Sequence, residues 1–377
     1  MTINKDKCIS IFLLHALGDT IGFKNGIWEF NYGNYNLSDI RITIEIISEF
    51  INLGGITHIN LKDWYVSDDT LLNYEIAKFI LNINNNNNNN NLSIINESDI
   101  INLKKDINKL IKREEISGIE RGFGNMTIKA IETWNDKKDQ RNEPYNMYSG
   151  GNGCSMRTLP IGIYFYKDKD LDKLIEYSII TSKLTHNSPI GFLGGLATAY
   201  FIKLALNNIK IEKWPYLIIN LLESEKVKKY IDINDDSVYF DYRNVIKIWK
   251  KYIELFFSED EKPLNLKTSI NLISRFKIFI ELDKIMYDTI KNPFIGGNGQ
   301  TAVIMAYNAV LDCNGNWEKL VYYAMLHGGD SDTVGAIAGG LYGAIYGSKD
   351  VSVHLFDHLE MKKELTEIGE KYYDIIK

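Results

Sequence analysis

The sequence has little of what marks nucleic-acid binders, secreted proteins or membrane proteins. Lys and Arg total 43 against 49 Asp and Glu, a formal net charge of -6 over 377 residues. No basic arm or Lys/Arg-rich patch breaks that balance, which argues against nucleic acid as a partner. Three cysteines, Cys8, Cys154 and Cys313, lie far apart without CxxC spacing. Neither a disulfide framework nor a thiolate zinc site follows, and a reducing compartment is expected. The apolar stretch Cys8–Leu17 follows Lys5 and Lys7, but Gly18-Asp19 interrupts it and no small-residue cleavage site is present. It reads as a buried N-terminal helix, not a signal peptide. The glycine-rich segment near the C-terminus falls short of the roughly 20 apolar residues that cross a bilayer. A cytoplasmic location, with the nucleus as the alternative, no membrane and a monomer are the simplest expectations.

Hairpin signals and βαβ alternation are also missing, so the fold class is all-α. Apolar residues make up 45% of the chain, enough for a sizeable core. Helical periodicity is expected over Ile9–Leu17, Ser38–Leu53, Leu71–Leu81, Asp99–Arg113, Asn125–Trp134, Leu171–Leu184, Pro189–Leu206, Tyr216–Tyr230, Val245–Phe256, Thr268–Ile290, Ala302–Leu311, Trp317–Leu326 and Glu360–Ile376. The tract Asn84–Asn91 cannot bury apolar surface, so 82–96 is expected to be a disordered surface insertion. No other composition shift marks a boundary, which leaves one domain over 1–377.

What stands out is His327–Gly347, HGGDSDTVGAIAGGLYGAIYG. Gly335, Gly339, Gly343 and Gly347 recur every fourth residue and line one face of a helix. Each helical glycine costs about 1 kcal/mol relative to alanine, so such a stripe implies close backbone packing or function. Asp330, Asp332 and Thr333 sit in that helix's first turn. A second acidic pair, Asp68-Asp69, stands at another helix start between Ser67 and Thr70. Each pair alone reads as an N-cap with dipole-favouring acids. Together they make an oxygen-rich set suited to Mg²⁺, Mn²⁺ or Ca²⁺ rather than zinc.

Other motifs are weaker. Asp330-x-Asp332 resembles a phosphatase nucleophile motif, but no strand leads into it and little chain follows. Asp232-x-Asn234-x-Asp236 resembles the start of an EF-hand loop, yet Ser237 and Arg243 occupy the positions that need Gly and Glu. His354 and His358 read as a surface pair. Two GGNG loops, Gly150–Gly153 and Gly296–Gly299, are able to present backbone N–H groups to phosphates. His186, in a polar loop before a helix, is placed for ligand contact. Trp28 and Glu29, in a glycine-bounded loop, read equally well as a ligand-contacting pair or as a buried Trp.

Six stretches, HALGDTIGFKNGIWEF (15–30), WYVSDDT (64–70), SGGNGCSMR (149–157), THNSPIGFLGGLATAYF (185–201), AVIMAYNAVL (302–311) and the glycine-rich segment (327–347), resemble the ADP-ribosylglycohydrolase family, nearest its ADP-ribosylarginine hydrolases. The resemblance implies a compact single-domain orthogonal helical bundle with a two-metal cleft for ADP-ribose. It implies two Mg²⁺, or Mn²⁺, on Ser67, Asp68, Asp69, Asp330, Asp332 and Thr333. It implies ADP-ribose contacts from Gly150, Gly151, Asn152, Gly153, Met156 and His186, with Glu29 on a covering loop. Gly296 and Gly297, in the second glycine loop, are expected to approach the substrate; that loop departs from the Ser-rich sequence of animal relatives. The expected activity is hydrolysis of ADP-ribosylated protein arginine, releasing ADP-ribose, with Asp68, Asp69 and Glu29 as candidate proton carriers. Serine-linked ADP-ribose, poly-ADP-ribose or O-acetyl-ADP-ribose hydrolysis, or silent ADP-ribose binding, are the alternatives.

Overall fold

The computed structural model describes residues 4–31, 40–86, 95–136, 143–169, 171–264, 272–286 and 295–377. Among them there is no β-strand, only two isolated bridges. The helices are α1 (Lys5–Phe23), α2 (Ile40–Asn52), α3 (Gly55–His58), α4 (Asp68–Asn86), α5 (Glu97–Ser117), α6 (Asn125–Asp136), α7 (Leu159–Tyr164), α8 (Asp172–Lys183), α9 (Pro189–Leu206), α10 (Trp214–Leu222), α11 (Glu225–Lys228), α12 (Asp236–Phe256), α13 (Leu272–Met286), α14 (Gly299–Cys313), α15 (Trp317–Ala324), α16 (Ser331–Tyr346) and α17 (Lys362–Ile376).

Local chemistry sets many of these boundaries. Asn4 caps α1 by accepting from Lys7 N–H, and Asn96 with Asp99 closes a capping box on α5. Asp235 caps α12 through Ser237 and Val238, which accounts for the acidic run 232–236 without a cation. Ser188 caps α9, with Pro189 at its first position. The 216–230 segment divides into α10 and α11. α4 runs past Leu81 to Asn86, burying Ile83; residues 87–94, the rest of the asparagine tract, lie outside the described residues.

α1 differs most from its sequence pattern. It continues through Gly18-Asp19 to Phe23 because those residues pack on α16. The two helices run antiparallel in backbone contact. A Cβ on Gly18 would stand 2.1 Å from Gly335 O, one on Gly22 2.2 Å from Ser331 O, and one on Gly339 1.9 Å from Leu14 O. Gly343 meets Ser10 in the same way, at 2.7 Å. The four-residue period on both helices keeps their seam in register. α9 is the one helix among the described residues long and apolar enough to cross a membrane, but 94% of it is buried within the protein. Phe201 of α9 makes tilted or edge contacts with Trp214, Trp249 and Tyr307, which ties α10, α12 and α14 into the same core.

Gly339→Ala tests the seam. The added methyl would drive into the Leu14 carbonyl, and rigid cores resist such overpacking. Denaturant unfolding is expected to show a loss of about 1–3 kcal/mol or more. An unchanged midpoint and slope would mean that α1 and α16 are not in backbone contact.

Candidate metal centre and ligand cleft

The centre is assembled from two helix heads. At the first, the carboxylate of Asp19 on α1 accepts from Ser67 N–H at 3.0 Å, from Thr70 N–H at 3.1 Å and from the Thr70 hydroxyl. Ser67 Oγ caps α4 by accepting from Asp69 N–H at 3.1 Å. Asp68 N–H donates to Arg121 O at 2.8 Å, and with Asp69 and Thr70 N–H taken by Ser67 and Asp19, the Asp68 and Asp69 side chains are not needed as caps. Both line the cleft.

At the second head, Asp330 N–H donates to Ile295 O at 2.8 Å, and the Ser331 hydroxyl donates to Gly22 O at 2.8 Å. Asp330 occupies the cap position of α16, yet its side chain makes no capping hydrogen bond. Thr333 N–H goes to Asp332 Oδ1 at 2.8 Å, and Thr333 also hydrogen-bonds Asp69 across the gap between the heads. Glu29 closes the group. One oxygen each from Glu29, Asp330 and Asp332 lie within 4.8 Å of one another. Phe30, in the left-handed region, donates its N–H to Gly329 O at 2.9 Å and so pins Glu29 over the second head. Trp28 is buried behind, its indole N–H on Glu49 at 2.8 Å, which settles the choice between ligand contact and core for that side chain.

The two GGNG loops meet each other. Gly151 and Asn298 form an antiparallel bridge, Gly299 N–H donates to Gly150 O at 3.0 Å, and Asn152 Nδ2 donates to Gly296 O at 2.8 Å. Gly151, Asn152, Gly153, Met156, Gly297 and His186 line a cleft of about 1200 Å³ above the carboxylates. Gly150, Gly296 and Ser67 do not line it: each is used for backbone or capping contacts behind the surface. The opposite wall is the 118–124 loop, in which Gly122 has φ +76°. A Cβ there would lie 3.6 Å from Glu29 Oε2 and 3.8 Å from Asp68 Oδ1, so both acids stand close to Gly122, whose left-handed backbone is what calls for glycine.

Asp19, Asp68, Asp69, Asp330 and Asp332 are all buried, and among the described residues no Lys or Arg forms an ion pair with Asp68, Asp69, Asp330 or Asp332. Burial pushes every one of these carboxyls up, and neighbouring carboxylates push Asp68, Asp69 and Asp332 further. Asp19 is raised by burial to about 6, against the pull of its hydrogen bonds from Thr70 and Ser67. Asp69 Oδ2 and Asp330 Oδ1 are inaccessible to solvent and have no hydrogen-bond partner. Orphaned buried carboxylate oxygens are costly unless a cation satisfies them. A hard divalent cation, which takes oxygen ligands, fits this donor set.

Sequence reasoning missed Asp19, the 118–124 wall, Arg157 and Thr185. Asp19 stood beside a glycine that read as a helix stop. The wall has no motif of its own. His354 and His358 lie outside the cleft.

The fold and the centre together define a class: an all-α protein with a buried carboxylate centre on the floor of a ligand-sized cleft. The chain belongs to the ADP-ribosylglycohydrolase family, hydrolases that remove ADP-ribose; the model of that family matches residues 2–377. It is similar to ADP-ribosylhydrolase ARH1 of Dictyostelium discoideum, 32% identical over 383 residues, covering 96% of this chain and 92% of the relative. An ADP-ribosyl glycohydrolase homologue of Acanthamoeba polyphaga mimivirus is 33% identical over 371 residues, 96% of this chain and 68% of that protein. ADP-ribosylhydrolase ARH3 of Danio rerio is 22% identical over 72% of this chain and 71% of its own length. A solved chain described as an ADP-ribosylglycohydrolase-related protein complex shares the fold, with TM-score 0.56 at 17% identity over 99% of both chains.

The raised carboxyls predict how stability depends on pH. Groups that hold protons more tightly when folded stabilise the protein fully below their unfolded values, near pH 4 for carboxyls, and lose that contribution as pH rises. The metal-free melting temperature is therefore expected to fall as pH climbs through about 6, the Asp19 value, and beyond. Mg²⁺ or Mn²⁺ is expected to raise the melting temperature more at about pH 8 than at about pH 5, since cations replace protons. Scanning calorimetry with chelator and with each cation measures this; equal increments at both pH values would contradict the assignment.

Proposed function

We propose that the protein hydrolyses the N-glycosidic bond between ADP-ribose and a protein arginine, with two divalent cations, Mg²⁺ or Mn²⁺, held by Asp68, Asp69, Asp330 and Asp332 together with Thr333, while Ser67 keeps its place as the cap of α4. The observation that carries the reading is the set of buried carboxylates without cationic partners, two of their oxygens orphaned, beneath a cleft lined by glycine loops. Bound divalent cations supply positive charge for sugar hydroxyls and lower the pKa of water.

The chain's own residues do the rest. Gly151, Gly153 and Gly297 let an anionic ligand approach the backbone closely despite the net acidic charge. Glu29 and Asp68 both stand close to Gly122. In the reaction the bond from the anomeric carbon to nitrogen breaks, its electron pair leaves with the guanidine, and that nitrogen takes up a proton. Water adds to the carbon and loses a proton. We assign these two proton movements to Glu29 and Asp68, with Asp69 holding its place through Thr333. Arginine as acceptor is supported by the acidic cleft mouth, where Glu115 and Glu120 stand exposed and suit a cationic guanidinium.

Two measurements test this. Release of ADP-ribose from arginine-linked, serine-linked, O-acetyl and polymeric substrates is expected to favour arginine by at least roughly tenfold in kcat/KM. A different preference would reassign the acceptor, and ADP-ribose binding without release from any of them would mark a silent relative. Glu29→Gln is expected to lower kcat by about 10²-fold or more while KM changes little. Asp330→Asn with Asp332→Asn is expected to abolish both turnover and the cation-dependent rise in melting temperature.

A further inference from the structure

One charged group near the cleft is not accounted for by metal or acid–base work. Arg157 is fully buried, and its guanidinium has no carboxylate partner among the described residues. It donates to Gly153 O at 3.1 Å, Thr181 O at 3.0 Å and Thr185 Oγ1 at 2.8 Å, and its Nε–H has no acceptor. A buried charge in this state is costly, so a role for it is expected.

The Thr185 hydroxyl, itself fully buried, also lies 2.7 Å from His186 Nδ1. A guanidinium can only donate, so Thr185 Oγ1 accepts from Arg157. Its single proton is available to His186 Nδ1, and in the pairing where Thr185 donates, Nδ1 accepts. A ring that accepts at Nδ1 is neutral and carries its proton on Nε2. That nitrogen faces the first glycine loop: a Cβ on Gly153 would lie 3.1 Å from it and one on Gly151 3.3 Å. Burial, and then the Arg157 charge, hold the His186 pKa down at about 3, so the ring stays neutral throughout the physiological range.

We propose that Arg157 and Thr185 are positioning residues that lock His186 in the Nε2–H tautomer. The histidine then serves as a fixed neutral donor to an acceptor oxygen of the ligand's diphosphate, lying against Gly151 and Gly153. The ligand part rests on the ADP-ribose reading above; the relay does not. In this arrangement His186 is not a proton-transfer group, because its only acidic form lies far below working pH and its second nitrogen is occupied. The arginine's charge reaches the cleft as an aimed N–H rather than as a cation.

The test reads the tautomer directly. Long-range ¹H–¹⁵N spectra of the histidine-labelled, ligand-free protein, with His186 identified among the six histidines by loss of its signals in His186→Gln, are expected to show Nδ1 bare and Nε2 protonated. An Nδ1–H tautomer or an imidazolium in the wild-type protein would overturn the proposal without any variant. Thr185→Val is expected to scramble the tautomer and weaken ADP-ribose binding roughly tenfold by calorimetry, the worth of one charge-assisted hydrogen bond. Thr185→Ser is expected to restore both. A valine variant that keeps tautomer and affinity overturns the relay. The expected tautomer in a wild-type protein that binds no ADP-ribose supports the relay and sinks the proposed function instead.

Discussion

The backbone contact between α1 and α16 is the constraint on which the site depends. At each close approach a glycine stands on at least one of the two helices, so the main chains come nearer than a Cβ at that position would permit. Two things follow. Asp19 on α1 is delivered beneath the turn that begins α4, where it accepts hydrogen bonds from both ends of Ser67–Thr70. The head of α16 is pulled against Gly22 through the Ser331 hydroxyl. The first acidic pair is thus placed from α1 by a hydrogen-bonded carboxylate, and the second by a glycine seam. A methyl group in that seam would separate both heads at once. The helical penalty of the glycines, about 1 kcal/mol each, is small beside the loss of that geometry.

The same placement creates an electrostatic problem that the protein leaves unsolved by itself. Five aspartates are buried around one gap, and the arginine and lysine side chains nearby are engaged elsewhere. Arg121, which also lines the cleft, pairs with Glu114 and Glu360. Lys24, beside the Glu29 loop, pairs with Glu49. Capping does not absorb the acids either, since Ser67 caps α4 and the Asp330 side chain caps nothing. Charge held in this way is stable only when protonated or when matched by an external cation. The fold keeps its own cations out of the gap, which is the condition for an exchangeable one to be bound.

Much of this was legible from residue order. The four-residue glycine period foretold a helix in backbone contact, and the two acidic pairs at helix starts foretold a shared centre. Pro189–Leu206 was bounded correctly because Ser188 and Pro189 are strong local start signals. What was not legible is tertiary. Gly18-Asp19 has the local signature of a helix end, but packing against Gly335 keeps the helix going. The Asp332 side chain meets Glu29 across about three hundred residues of sequence, a pairing no local pattern encodes. Gly150 and Gly296 share a motif with Gly151 and Gly297, yet the bridge between the loops turns the first glycine of each away from the cleft.

The two sides of the cleft solve opposite problems by different means. On the floor, negative charge is concentrated without protein counter-charge, which suits cations. On the proposed reading the glycine loop takes an anionic ligand, yet among the described residues no lysine or arginine side chain forms that part of the cleft lining. A mobile cation at that position would be drawn to the floor carboxylates a short distance away and would compete with the metal. A guanidinium buried behind Thr185, speaking to the cleft only through the His186 N–H, avoids this. Its two terminal nitrogens are held by Gly153, Thr181 and Thr185, which keeps the guanidinium turned away from Asp68. Under the proposed function, the separation of a neutral donor wall from an acidic floor would let one narrow cleft take both an anion and the cations that neutralise it.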